Sequence, residues 1–190
     1  MIEPLPRIDG GFRVIAADPP WRFKSNSVAK PGRNAMRHYD CMSLKDIAAM
    51  PVREIVADDA VLLLWITGPF LAIGAHIPIM NAWGFKPNSM GFTWAKTTSG
   101  GGWFFGGGFT TRKNEEFVVM GKRGRSVRDN AGVRSLIVSP IREHSRKPDD
   151  FFTRAETYSK GPYCELFARE SREGWSTWGN QATKFDRIAA

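Results

Sequence analysis

The stretch "DAVLLLWI", residues 59–66, constrains the fold most. After Asp59 it runs through seven residues with no polar side chain, then stops at Thr67, Gly68 and Pro69. A run of that length is a strand, and alternate residues of a strand point to opposite faces. Both faces must therefore be covered, which is the condition of a largely parallel sheet with helices on either side. Further strands are read at "FRVIAA" 12–17, "SMGFTWAK" 89–96, "EEFVVMG" 115–121, "RSLIVSP" 134–140, "YCELFAR" 163–169 and "WSTWG" 175–179.

Helical segments separate several of them. Ser43 is a plausible N-cap for a short helix ending before Pro51. Thr67 and Pro69 open a second, with Phe70, Ile73, Ile77 and Met80 on one face and a kink expected at Pro78. "KPDDFFTRAETYSKG" reads as a third, with Pro148 in its first turn and Asp149 and Asp150 at the positive end of its dipole. The expected fold is α/β, one domain over 1–190, with a mostly parallel central sheet and helices on both faces. Ligands in such folds sit beyond the carboxyl ends of the strands.

At that edge, after the first strand, stands "DPPW". Proline fixes φ and removes an N–H, so this segment has few conformations. Asp18 and the carbonyl of Pro19 can together accept both hydrogens of an exocyclic amine. Trp21 can stack on the ring carrying it, a contact worth about 1–3 kcal/mol per base. Two rigid acceptors would localise the amine lone pair and stabilise the charge developing on methyl transfer. The other reading is a solvated aspartate before a Pro-Pro turn, with Trp21 in the core.

The chain carries 27 Lys plus Arg against 19 Asp plus Glu, a formal charge of +8, which favours an anionic partner and nucleic acid first. Cys41 and Cys164 form no disulfide framework, and His38, His76 and His144 are scattered, so no metal site is expected. No apolar run has membrane-spanning length, and the N-terminus lacks the form of a signal peptide, so a cytoplasmic protein is expected. Two long loops stand out. One is 22–40. The other is 97–113, "TTSGGGWFFGGGFTTRK", a candidate flap over a flipped base. Loop 22–40 and the basic turn "GKRGRSVR", 121–128, are candidate phosphate contacts.

"ADPPW", "HYDCMS", "LLLWITG", "WGFKPNSMGFTWAKT", "EEFVVMGKRG", "REHSRKPDDFF", "ELFAR" and "WSTWGNQ" together resemble the MT-A family of adenine-N6 methyltransferases, in that family's order, over residues 12 to 181. The resemblance implies a Rossmann-like methyltransferase fold with a permuted (beta-class) motif order, using S-adenosyl-L-methionine. It implies nucleic acid as substrate, DNA ahead of RNA, and leaves open a homodimer or a partner subunit. It makes Asp18, Pro19, Pro20 and Trp21 catalytic, with Asp18 also near the cofactor. Tyr39, Thr67 and Glu116 match substrate-binding positions. Lys147, Glu165, Arg169, Asn180 and Gln181 match cofactor-binding positions.

Plainer readings stand beside these. Lys147 could be a solvated charge, Glu116 a surface partner of Lys113, and Tyr39 core packing. Asn180 and Gln181 could simply cap a strand. The eukaryotic His-Asn pair after "ELFAR" is absent, so Ser171 or Arg172 must substitute or the contact is lost. Two other readings of function remain: a non-catalytic paralogue, which would usually have lost the tetrapeptide, and methylation of a small-molecule amine.

Overall fold

The computed structural model describes residues 4–22, 41–108, 110–143 and 146–186. Seven strands are present among the described residues: β1 Phe12–Ala17, β2 Val56–Ile66, β3 Lys86–Thr97, β4 Glu115–Arg123, β5 Leu136–Pro140, β6 Tyr163–Leu166 and β7 Trp175–Trp178. The α-helices are α1 Leu44–Ala48, α2 Gly68–Ala72, α3 His76–Ala82 and α4 Asp149–Tyr158, with a 3-10 turn at Val52–Glu54. The strands form one sheet in the order β5-β3-β4-β2-β1-β6-β7. Every neighbouring pair is parallel except those of β4, which runs against both β2 and β3. The mostly parallel α/β sheet read from the sequence is the one found.

The run that opened the sequence reading is the central strand β2. Leu62, Leu64 and Ile66 pack on one side with Ile47 of α1 and Ile79 and Met80 of α3. Val61, Leu63 and Trp65 pack on the other with Phe151, Phe152 and Ala155 of α4. Alternation places an apolar residue on each face, and a helix layer covers each. Full burial of such side chains contributes about 1.5–3 kcal/mol apiece.

The Ser43 hydroxyl caps α1, accepting the Asp46 N–H at 3.1 Å. The second expected helix is two helices. The chain breaks at Gly74, whose φ of +68° is the left-handed conformation that ends helices, and not at Pro78. Pro78 is the third residue of α3, where a missing N–H forfeits no helical bond. The predicted apolar face is corrected with it: Ile73 is 73% exposed and Ile77 is exposed, while Ile79 and Met80 carry the burial. Pro148 stands just before α4 rather than in its first turn.

Candidate active site

The parallel strands deliver their carboxyl ends to one rim of the sheet. Asp18 follows β1 there, Thr67 follows β2, and Glu165 lies near the end of β6. Because β4 is reversed, it is the start of that strand, Glu115 and Glu116, that reaches the same rim. Lys96 arrives from the end of β3. An open cleft lies there, with Asp18, Lys147, Glu165, Arg169 and Arg172 on its walls.

Four charged side chains form a continuous row. Lys147 Nζ lies 2.9 Å from Asp18 Oδ2 and 2.8 Å from Glu116 Oε2. Lys96 Nζ lies 2.7 Å from Glu116 Oε1. Lys147 is the most enclosed, 9% exposed at its side chain. Burial alone would push the Glu116 carboxyl up, but the two lysines outweigh that and hold it at about 2. Burial would push the Lys147 ammonium down, and Asp18 and Glu116 instead hold it well above the usual lysine range. Lys147 is thus no solvated charge before a helix. Glu116 pairs with Lys147 and Lys96 and not with Lys113.

The DPPW backbone is tied down on three sides. The Asp18 N–H donates to the Leu166 carbonyl at 3.4 Å, and the Pro20 carbonyl accepts the Met42 N–H at 2.9 Å. The Pro19 carbonyl accepts the Trp21 N–H at 2.8 Å, which uses one of its two lone pairs. Trp21 itself is 4% exposed. Its indole N–H donates to the Trp65 carbonyl at 3.2 Å, and its ring lies 5.1 Å from that of Phe70. The structure therefore places Trp21 in the core beneath the cleft. Thr67 Oγ1 is buried with no hydrogen-bond partner among the described residues.

On the other side of the cleft, Glu165 stands on β6 between the buried Cys164 and Leu166. Burial pushes its carboxyl up. Arg172 opposes this, Asp18 and Glu170 add to it, and the group settles at about 8. The strand then turns sharply: Phe167 has φ +64°, a left-handed conformation that costs a non-glycine residue about 1–3 kcal/mol and tends to mark functional sites. Arg172 enters the cleft with its guanidinium 3.7 Å from the Phe152 ring centroid, and its Nε is buried without a partner among the described residues. Ser171 instead bonds Asp186, its N–H and its hydroxyl each at 2.7 Å. Of the two substitutes open in the sequence, Arg172 is the one that lines the cleft.

Not every expected residue gathers here. Asn180 is exposed and Gln181 half-buried in the turn after β7, outside the cleft lining. Tyr39, and all of loop 22–40 beyond Arg22, lie outside the described residues. The basic turn 121–128 is at the wrong end. β4 carries it to the amino ends of the parallel strands, about 20 Å from the cleft at some 3.3 Å per residue. There Arg125 pairs with Asp59 and Arg123 with Asp58.

Loop 97–113 does rise from the cleft rim. Trp103 bridges back to Thr97, and the Lys113 N–H donates to the Gly107 carbonyl at 3.3 Å. Trp103 is 66% and Phe105 76% exposed. A Cβ on Gly106 would overlap the Lys113 carbonyl, and one on Gly108 the Thr111 carbonyl, so these two glycines are required by the close approach of the two limbs. Sequence reasoning missed Lys96. Its one signal was a lysine two residues after a buried tryptophan on the same strand face.

Comparison with known proteins matches residues 12–181 to the MT-A70 family. The Type II methyltransferase M.MunI of a Mycoplasma species is 29% identical over 189 residues, covering 88% of this chain and 76% of that protein. The human N(6)-adenine-specific methyltransferase METTL4 is 30% identical over 206 aligned positions, covering 98% of this chain and 41% of that protein. The N6-methyladenosine RNA methyltransferase MTA1 of Cryphonectria parasitica is 30% identical over 183 residues, covering 93% and 53%. This chain thus spans three quarters of the first and about half or less of the other two.

Proposed function

Because the chain belongs to the MT-A70 family, we propose that it transfers the methyl group of S-adenosylmethionine to the exocyclic N6 amine of adenine in nucleic acid. One observation carries this reading. Asp18, beside the rigid Pro-Pro segment, meets Lys147 through Oδ2 at 2.9 Å, and Oδ1 is the oxygen assigned to the substrate amine. The second lone pair of the Pro19 carbonyl stands one residue away. Asp18 Oδ1 and Pro19 O are the two acceptors an amine needs to present its lone pair. Asp18 need not remove a proton before transfer. Its charge stabilises the nitrogen as that atom becomes cationic.

Trp21, buried, serves as the clamp that fixes the Pro19 carbonyl. The orphaned hydroxyl of Thr67 is a candidate contact for the base edge. Base stacking passes to Trp103 and Phe105 of the exposed flap. Tyr39 is kept as a substrate contact on the resemblance alone.

The residues of the cleft fit the cofactor. Glu165 suits ribose hydroxyls, Arg169 and the free Nε of Arg172 supply donors, and Lys147 stands between this half of the cleft and Asp18. When bound, S-adenosylmethionine supplies an electrophilic methyl group on a sulfonium. Asn180 and Gln181 complete the cofactor side only if the turn after β7 folds inward. We put DNA ahead of RNA, a reading supported by the similarity to the Mycoplasma Type II methyltransferase across most of both chains.

The test is incubation with methyl-labelled S-adenosylmethionine and random-sequence DNA and RNA pools, single- and double-stranded, followed by digestion to nucleosides. Labelled N6-methyladenine is the expected product, with DNA labelled above RNA. Cofactor binding with no labelled adenine on any pool would overturn the assignment.

A further inference from the structure

Lys96 belongs to no part of the cleft lining, yet it completes the charged row that ends at Asp18. Glu116 divides its two oxygens, Oε2 to Lys147 at 2.8 Å and Oε1 to Lys96 at 2.7 Å. Lys147 in turn divides its ammonium between Glu116 and Asp18. We infer that Lys96 is a positioning residue for Asp18, acting through Glu116 and Lys147.

The geometry gives three reasons. First, Lys96 fixes the rotation of the Glu116 carboxylate, so Oε2 stays aimed at Lys147. With that carboxylate free to turn, Lys147 would swing fully onto Asp18 and compete for Oδ1, the oxygen left for the substrate amine. Second, the row is balanced, with two ammoniums and two carboxylates. Removing Lys96 leaves an excess negative charge in a half-buried cluster, a costly arrangement. Third, both lysines have rigid seats. Lys96 Nζ lies 4.8 Å from the Trp94 ring centroid and Lys147 Nζ 4.9 Å from that of Trp65. The two rings meet edge to face at 6.4 Å. Trp94 stands directly opposite Glu116 across the β3–β4 pair, so Lys96 reaches Glu116 on the diagonal.

The inference rests on the proposed methyl transfer for its turnover arm, and not for its titration arm. The Glu116 carboxyl is followed by carbon NMR across acid pH in the free protein, for wild type, Lys96→Met and Lys96→Arg. S-adenosylmethionine affinity is measured by calorimetry, and single-turnover transfer is measured on the random-sequence DNA and RNA pools. In Lys96→Met the Glu116 titration moves to higher pH and transfer falls by about tenfold to 100-fold, while cofactor Kd stays near wild type. Lys96→Arg keeps the charge and recovers most of both. An unmoved Glu116 titration or unchanged transfer in Lys96→Met would overturn the inference. So would a parallel loss of affinity and transfer that Lys96→Arg does not recover, the mark of a merely structural role. If wild type transfers no methyl group, the proposed function falls and the titration alone decides Lys96.

Discussion

Replacing Asp18 with alanine removes an acceptor whose Oδ2 lies 2.9 Å from Lys147 Nζ. The proposed cofactor half of the cleft, built on β6 and its following turn, is left standing. Asp18→Ala should therefore bind S-adenosylmethionine nearly as wild type does and lose about 10²- to 10³-fold in single-turnover transfer. Equal losses in affinity and rate would contradict the acceptor role. Glu165 makes a different prediction. Folding raises its carboxyl from an ordinary 4.5 to about 8. Between those values the folded protein holds a proton that the unfolded chain has released. The stability this contributes is full below about 4.5 and is lost as pH rises toward 8. Glu165→Gln lacks that loss, so its urea midpoint should climb relative to wild type between pH 5 and pH 9. Glu116, held at about 2, runs the other way: its contribution is present above 4.5 and lost as pH falls toward 2.

The flap between β3 and β4 is held by backbone approach, and glycines permit it. Gly106→Ala drives a methyl into the Lys113 carbonyl and must part the two limbs. Because the flap is exposed, global stability should change little. Trp103 fluorescence and protease susceptibility at the flap should change, and nucleic-acid methylation should fall while cofactor binding holds. Strand identity was legible in the sequence because alternation reports burial directly, and all seven strands were read. The division of the helix at Gly74 was not, since Phe70, Ile73, Ile77 and Met80 keep helical spacing across the break. Nor was the direction of β4, which sequence does not encode. That one unknown put the basic turn 121–128 on the wrong side and hid Lys96. Its partner Glu116 lies 20 residues on, and Lys147 lies 31 beyond that. Only the reversed strand brings the three together. The restricted backbone of the DPPW segment was legible because Asp18, Pro19 and Pro20 are consecutive, so their geometry is local.

For the molecule as a whole, the +8 charge predicts nucleic-acid affinity that falls steeply with salt, by about 0.9 log units per decade of salt for each duplex phosphate contact. The two ends of the sheet should contribute unequally. Arg125→Ala, at the amino end and paired with Asp59, should leave the slope and the methylation rate unchanged. Substitution of Arg112, which lies over Phe105 in the flap, should reduce the slope by about one contact in a salt titration of DNA binding. A flat response at Arg112 with a loss at Arg125 would place the nucleic acid on the opposite pole. The reversal of β4 has one more consequence. The flap leaves the sheet and returns to it at the same rim, as the bend of a hairpin, so residues can be added or removed there without shifting any strand register. Under the proposed function, reach over the target base is then an adjustable length on a fixed frame. Two enzymes of this design could share every atom of the chemistry and still choose different nucleic acids by the size of that bend.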